Sequence, residues 1–258
     1  MSKSIRGGVP ICFPQFGRTS DKTSPQHGWA RLNTWTLNSQ TSTSVSMSIS
    51  STSPSTTAGR PIDGHWPPNS TCPYSTDLNL TVSLTDSGDL SYSLKIINNL
   101  ETTAPFQCLL HNYYNFSFDD GKITGLENYE CIDTQPRGSE GKGMAYFTQG
   151  PEPIELDGEV DRIFHPPSGK DNLEIQLNSS AISLKTVIIT CSASSSTSSS
   201  IPLSTVVWNP YIKKAKEMGD FDDDGYKSMV CVEPGIINGL RILKPKEEVT
   251  ISKTIHVE

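Results

Sequence analysis

Strict alternation of apolar and polar residues is the feature that most limits how this chain can fold. Residues 44–50, SVSMSIS, put Val45, Met47 and Ile49 on one side and serines on the other. LNLTVSL (78–84) repeats the pattern with Leu78, Leu80, Val82 and Leu84, and LSYSLKI (90–96) with Leu90, Tyr92, Leu94 and Ile96. Successive side chains of an extended chain point to opposite faces, so this period of two demands half-buried strands and does not suit an amphipathic helix. The Thr-Asp-Ser-Gly-Asp turn between the last two runs predicts a hairpin. ISLKTVIIT (182–190) and EVTISKTIHV (248–257) are further predicted strands. A short helix is predicted only around YIKKAKEM (211–218), with Gly219 placed to stop it. Many strands, frequent turns and almost no helix predict an all-β sandwich.

Two polar segments interrupt this pattern. Residues 51–76 carry five prolines, and SASSSTSSS (192–200) is of low complexity and reads as a mobile surface loop. Strand character continues on both sides of each, so neither marks a domain boundary. The chain carries a formal charge of −7, which argues against a nucleic-acid surface. It leaves room for a small anionic substrate, because two or three local arginines dominate at short range. The first residues lack the apolar core of a signal peptide, and no run approaches the roughly 18 apolar residues of a membrane span. A soluble, cytosolic protein with reduced thiols is therefore expected. Cys108 and His111 have a C-x-x-H spacing, but no second pair follows, so no metal site is expected.

The segments that break the alternation hold the candidate chemistry. IRGGVPICFPQFG (5–17) and PQHGWAR (25–31) are loops rich in Gly and Pro, framing Arg6, Gln26, His27 and Arg31. Two guanidinium groups can form a fork for a phosphate; each can equally be an ordinary surface arginine. CLLHNYYNF (108–116) places His111 between an apolar strand and an aromatic cluster, where it is either a candidate acid/base group or a half-buried structural histidine. GEVDRIF (158–164) brings Asp161 beside Arg162, so Asp161 either meets a ligand or pairs with its neighbour. In VCVEPG (230–235), Glu233 ends an apolar run before Pro-Gly, which reads as a strand end that aims a carboxylate into a cleft or into water. DFDDDGYK (220–227) has an EF-hand composition without its order, and reads as a solvated acidic loop.

In this order, these segments resemble the glucose-6-phosphate 1-epimerases, whose fold is similar to that of the aldose 1-epimerases. The resemblance runs from residue 5 to about residue 257. It implies a galactose-mutarotase-like β-supersandwich occupying 1–258 as one domain, without the strands that family members usually carry before R-G-G. It implies that His111 and Glu233 are catalytic, and that Arg6, Gln26, Arg31 and Asp161 bind substrate, the arginines holding phosphate. The implied reaction interconverts the α and β anomers of a hexose 6-phosphate and needs no cofactor or metal. In it Glu233 acts as base toward the anomeric hydroxyl and protonated His111 as acid toward the ring oxygen. The family pattern His-Thr-Tyr-Phe is here His-Asn-Tyr-Tyr (111–114). A non-catalytic carbohydrate-binding sandwich and a free-hexose epimerase are the alternatives.

Overall fold

The hairpin forms as the alternation requires. Thr76–Leu84 pairs with Leu90–Asn98, from Thr76 opposite Asn98 to Leu84 opposite Leu90. It belongs to one of two antiparallel sheets in a computed structural model, which describes residues 6–18, 25–50, 76–135, 143–182 and 186–258. Among the described residues this sheet runs, edge to edge, through Ile154–Glu155, Lys122–Thr124, Leu173–Asn178, Thr186–Ser195, Glu248–Val257, Leu90–Asn98, Thr76–Leu84, Ser44–Ser50 and Thr36–Gln40. One face is buried and the other, lined with Ser and Thr, meets water. Each fully buried Leu or Ile there contributes about 1.5–3 kcal/mol.

The other sheet has a different character. Its order is Ile11–Cys12, Ala104–Leu110, Met229–Leu243, Ser204–Asn209, Val160–His165, Glu130–Asp133 and Ala145–Thr148, with Asn112–Asn115 also pairing to Met229–Leu243. One face packs on the first sheet, where Phe106, Cys108, Leu110, Phe164, Val207 and Val232 meet Leu78, Leu94, Ile96, Ile189 and Ile251. Its opposite face is covered too. Cys12, Leu109, Val206, Trp208, Met229 and Cys231 form a second apolar cluster there, roofed by Phe16, Met218 and Phe221. Every residue of Ser204–Asn209 is buried. Burial on both faces removes the need for alternation, so these strands read as continuous apolar runs.

Four expectations change. The strand at Glu233 does not end at Pro234-Gly235; it continues to Leu243. Gly235 is needed inside it, because a Cβ would collide with the Cys108 carbonyl and Leu109 Cα of the neighbouring strand. The stretch 192–200 is not a free loop: its first four residues finish strand Thr186–Ser195, Ala193 is buried, and only a turn closed by Ser195 and Ser198 follows. The strand predicted at 182–190 is observed at Thr186–Ser195, and the first residue of the prediction, Ile182, belongs to a 3-10 turn at Ser180–Ile182. The acidic segment is not merely solvated, since Asp220 accepts a hydrogen bond from Arg6 Nε at 2.9 Å. The short helix is Tyr211–Glu217, and Glu248–Val257 is a strand as expected. Residues 51–75 of the Pro-rich segment lie outside the described residues.

Candidate active site

Glu233 lies in mid-strand on the covered outer face of the second-described sheet, and its position follows from strand register. On one side it pairs with Val206. On the other, Leu109 faces Gly235 and Asn112 faces Val232, so the intervening position across from Glu233 is His111. Pro234 has no N–H to offer the ladder here. The His111 N–H donates instead to the Pro10 carbonyl at 2.9 Å. The result is a cross-strand pair, with His111 Nδ1 3.4 Å from Glu233 Oε1. Two residues along each strand come Cys231, paired on one side with Trp208 and on the other with Tyr113, and Trp208 pairs in turn with Asp161. Period two puts all these side chains on the same face.

His111, Tyr113, Asp161, Val206, Trp208 and Glu233 form the floor of a cleft of about 370 Å³, with Cys231 buried beneath it. Its rim is built by the two Gly/Pro loops. The loops are locked together by the Phe13 N–H to His27 carbonyl bond (3.2 Å) and the Trp29 N–H to Phe13 carbonyl bond (2.9 Å). Gly28 permits this contact: its φ is +75°, and a Cβ would strike the Phe13 carbonyl. Arg6, Gln26 and Arg31 all line the cleft. Arg31 Nη2 donates to the Gln26 carbonyl at 2.7 Å, while its Nε is buried with no hydrogen-bond partner among the described residues. Asp161 also lines the cleft and does not pair with Arg162, which binds Asp133 at 2.8 Å on the next strand. The six residues singled out from the resemblance are thus brought to one cavity.

Burial sets the electrostatics. It holds the Glu233 carboxyl well above the usual range; nearby Asp161 adds to this and Arg31 opposes it. It lowers His111 to about 3, with Arg31 acting in the same direction. Both shifts favour the uncharged forms, a protonated carboxyl and a neutral imidazole, the reverse of the carboxylate and imidazolium that the resemblance implies. Neither is fully satisfied: His111 Nδ1 and Glu233 Oε2 are buried without hydrogen-bond partners among the described residues. Buried polar atoms without partners cost free energy, and clustering at a cleft floor marks them as groups awaiting a ligand. Asp161 is also raised by burial, opposed by Lys214 at 3.9 Å.

Further residues complete the lining, of which Lys214 escaped the sequence reading. Lys214, from the short helix, bonds Glu159 at 3.1 Å and lies 5.9 Å from the Trp208 ring centre. Tyr113, from the aromatic cluster that follows His111, stacks on His111 with 5.0 Å between ring centres and an 11° angle between the rings. His27, buried at the rim, accepts a hydrogen bond from the Gly17 N–H on Nδ1 (3.1 Å), leaving Nε2 to carry the proton. The amphipathic spacing of the helix was a usable signal for Lys214. Cys108 cannot join His111 in a C-x-x-H site, because Cys108 packs between the sheets. Phe116 is core as expected, and Tyr114 packs against it from the partly buried edge.

The chain matches the family model described as aldose 1-epimerase over residues 1–256. A protein of Cenchrus ciliaris named as a candidate glucose-6-phosphate 1-epimerase is 32% identical over 253 residues, covering 95% of this chain and 68% of the relative. An Escherichia coli protein with the same name is 26% identical over 256 residues, 98% of this chain and 75% of the relative. Among solved structures, a candidate mutarotase of Salmonella typhimurium superposes with a TM-score of 0.71 at 22% identity, over 99% of this chain and 75% of that one. That likeness shows the galactose-mutarotase-like fold. No helix among the described residues is long and apolar enough to cross a membrane.

Proposed function

This chain belongs to the aldose 1-epimerase family, and from that premise we propose that it interconverts the α and β anomers of a hexose 6-phosphate, with His111 and Glu233 as its catalytic pair. The observation that carries the assignment is the pair itself: an imidazole and a carboxyl facing each other across one rung of a sheet, 3.4 Å apart, buried and short of partners at a cleft floor. Anomer exchange needs one group to take the proton of the anomeric hydroxyl and another to protonate the ring oxygen. The ring opens, the bond to the carbonyl carbon rotates, and closure from the other face reverses both transfers. Each positioned transfer is worth about 10²–10⁴-fold.

The resting charge state and the working one differ by one proton moved between two adjacent atoms. Sugar hydroxyls donating to Glu233 stabilise its ionised form, and the ring oxygen accepts from the imidazolium. Binding thereby prepares carboxylate base and imidazolium acid in a site that, without ligand, favours neither charge. Arg6 and Arg31 supply the positive rim for the phosphate, and Gln26 and Asp161 hydrogen-bond the sugar. The two arginines favour a phosphorylated substrate over a free hexose. The reading is tested by polarimetry on freshly dissolved α-glucose 6-phosphate and α-glucose. Accelerated equilibration of the phosphate ester, with little effect on the free sugar, is expected. Equal rates would move the assignment to the free-hexose reaction, and no acceleration of either would leave a carbohydrate-binding sandwich.

A further inference from the structure

The face that carries His111 and Glu233 also carries a thiol. Cys231 precedes Glu233 by two residues on one strand, so both side chains leave the sheet on the same side. His111, across from Glu233, completes the group. An imidazole nitrogen, a sulfur and a carboxylate oxygen meet here, all from buried residues, with each ligand atom within 4.8 Å of the others. His111 Nδ1 and one Glu233 oxygen have no hydrogen-bond partner among the described residues.

We propose that His111, Cys231 and Glu233 form a binding site for a thiophilic divalent cation such as Zn²⁺, which inhibits the protein by occupying the reacting end of the cleft. Tetrahedral zinc, with ligands about 2.0–2.3 Å away, asks its ligand atoms to lie roughly 3.5 Å apart. His111 and Glu233 already stand at 3.4 Å, so small side-chain rotations close the set. Three protein ligands leave a fourth position for water on the cleft side. Mg²⁺ and Ca²⁺ are disfavoured, because they require six or more oxygens and a single carboxylate is offered. Zinc binding displaces the thiol proton and the proton that burial keeps on the Glu233 carboxyl to solvent, and takes the atoms that would handle the anomeric hydroxyl. The binding stands on geometry alone; competition with the sugar rests on the function proposed above.

Cobalt(II) is the probe, since thiolate ligation gives it a near-ultraviolet charge-transfer band. Titration of the full chain with Co²⁺ is expected to develop that band to one equivalent, with Zn²⁺ abolishing it and saturating glucose 6-phosphate weakening it. Cys231→Ser and Cys231→Ala should lose the band and weaken Zn²⁺ by roughly tenfold or more, the scale on which even outer-shell changes act. If both variants fail to fold, His111→Asn must weaken Zn²⁺ by a similar factor while keeping the band. In anomerisation assays Zn²⁺ should inhibit the wild type reversibly on chelation. Absence of the band in wild type, or its persistence in Cys231→Ala, would overturn the proposal. A protein inactive on every sugar but showing the one-equivalent band would sink only the anomerase reading.

Discussion

The two sheets of this sandwich obey different rules. The one containing the hairpin has a single buried face, and its sequence alternates accordingly. The one containing Met229–Leu243 is buried on both faces at its centre, from Met229 to Ile237 and across Ser204–Asn209, and its outer face carries the cleft. A carboxyl and an imidazole placed on the first sheet's outer face would be solvated and unremarkable in charge. Placed under the roof of Phe16, Met218 and Phe221, they are desolvated and their proton affinities move toward each other's territory. The second layer of cover shifts the proton affinities of the proposed acid/base pair, and strand register aligns its two members across one rung.

This division can be broken at several points. The largest effect belongs to the covered sheet. Glu233→Gln should lower the anomerisation rate about 10²–10⁴-fold with binding of glucose 6-phosphate retained, as read by polarimetry and calorimetry. The same variant should melt at a higher temperature at pH 8. The folded-state pKa of Glu233 is raised, so its contribution to stability is lost as pH rises, and an amide has no such loss. Ile251→Ala, on the buried face of the alternating sheet, should cost about 2–5 kcal/mol in denaturant melts while the folded fraction keeps its turnover number.

Arg31→Ala should weaken the phosphate ester by roughly tenfold to hundredfold, about 1.5–3 kcal/mol, and free glucose hardly at all. A loss shared equally by both ligands would make the rim structural. One charged residue crosses the division. Lys253, from the alternating sheet, is buried, bonds Asn112 Oδ1 and sits 4.2 Å from the Tyr92 ring centre. Burial lowers it to about 7 from 10.5. Between these values the unfolded chain binds the extra proton, so stability should rise with pH, by on the order of 1 kcal/mol per unit, relative to a Lys253→Met variant. The smallest effect is Thr190→Val on the exposed face, expected within about 0.5 kcal/mol and silent in activity.

Legibility follows the same division. The strands at 44–50, 78–84, 90–96 and 248–257 could be read because one wet face forces alternation. Ser204–Asn209 and the full length of Met229–Leu243 could not, because two covered faces erase the period and Pro234-Gly235 imitates a turn. The loops of Arg6 and Arg31 stood out by their glycines and prolines, and the roles of His111, Glu233, Gln26 and Asp161 came through resemblance rather than pattern. Trp208 was invisible as a cleft residue, since its place depends on which side of a sheet is roofed. Asp220 was misread for a similar reason: its partner Arg6 lies 214 residues away in sequence.

The register that pairs His111 with Glu233 has a parity. Cys231, Glu233, His111 and Tyr113 share a face because each is an even step from the next along its strand, while Val232 and Asn112 belong to the opposite side. Inserting one residue between Met229 and Glu233 would turn the carboxyl into the apolar interior and bring a valine to the cleft. Loops of this protein can lengthen or shorten by any number as the lineage diverges. The strand that carries the proposed pair can take an odd change of length there only with a bulge to absorb it, as it does further on between Ile236 and Arg241, where its register with Ala104–Leu110 shifts.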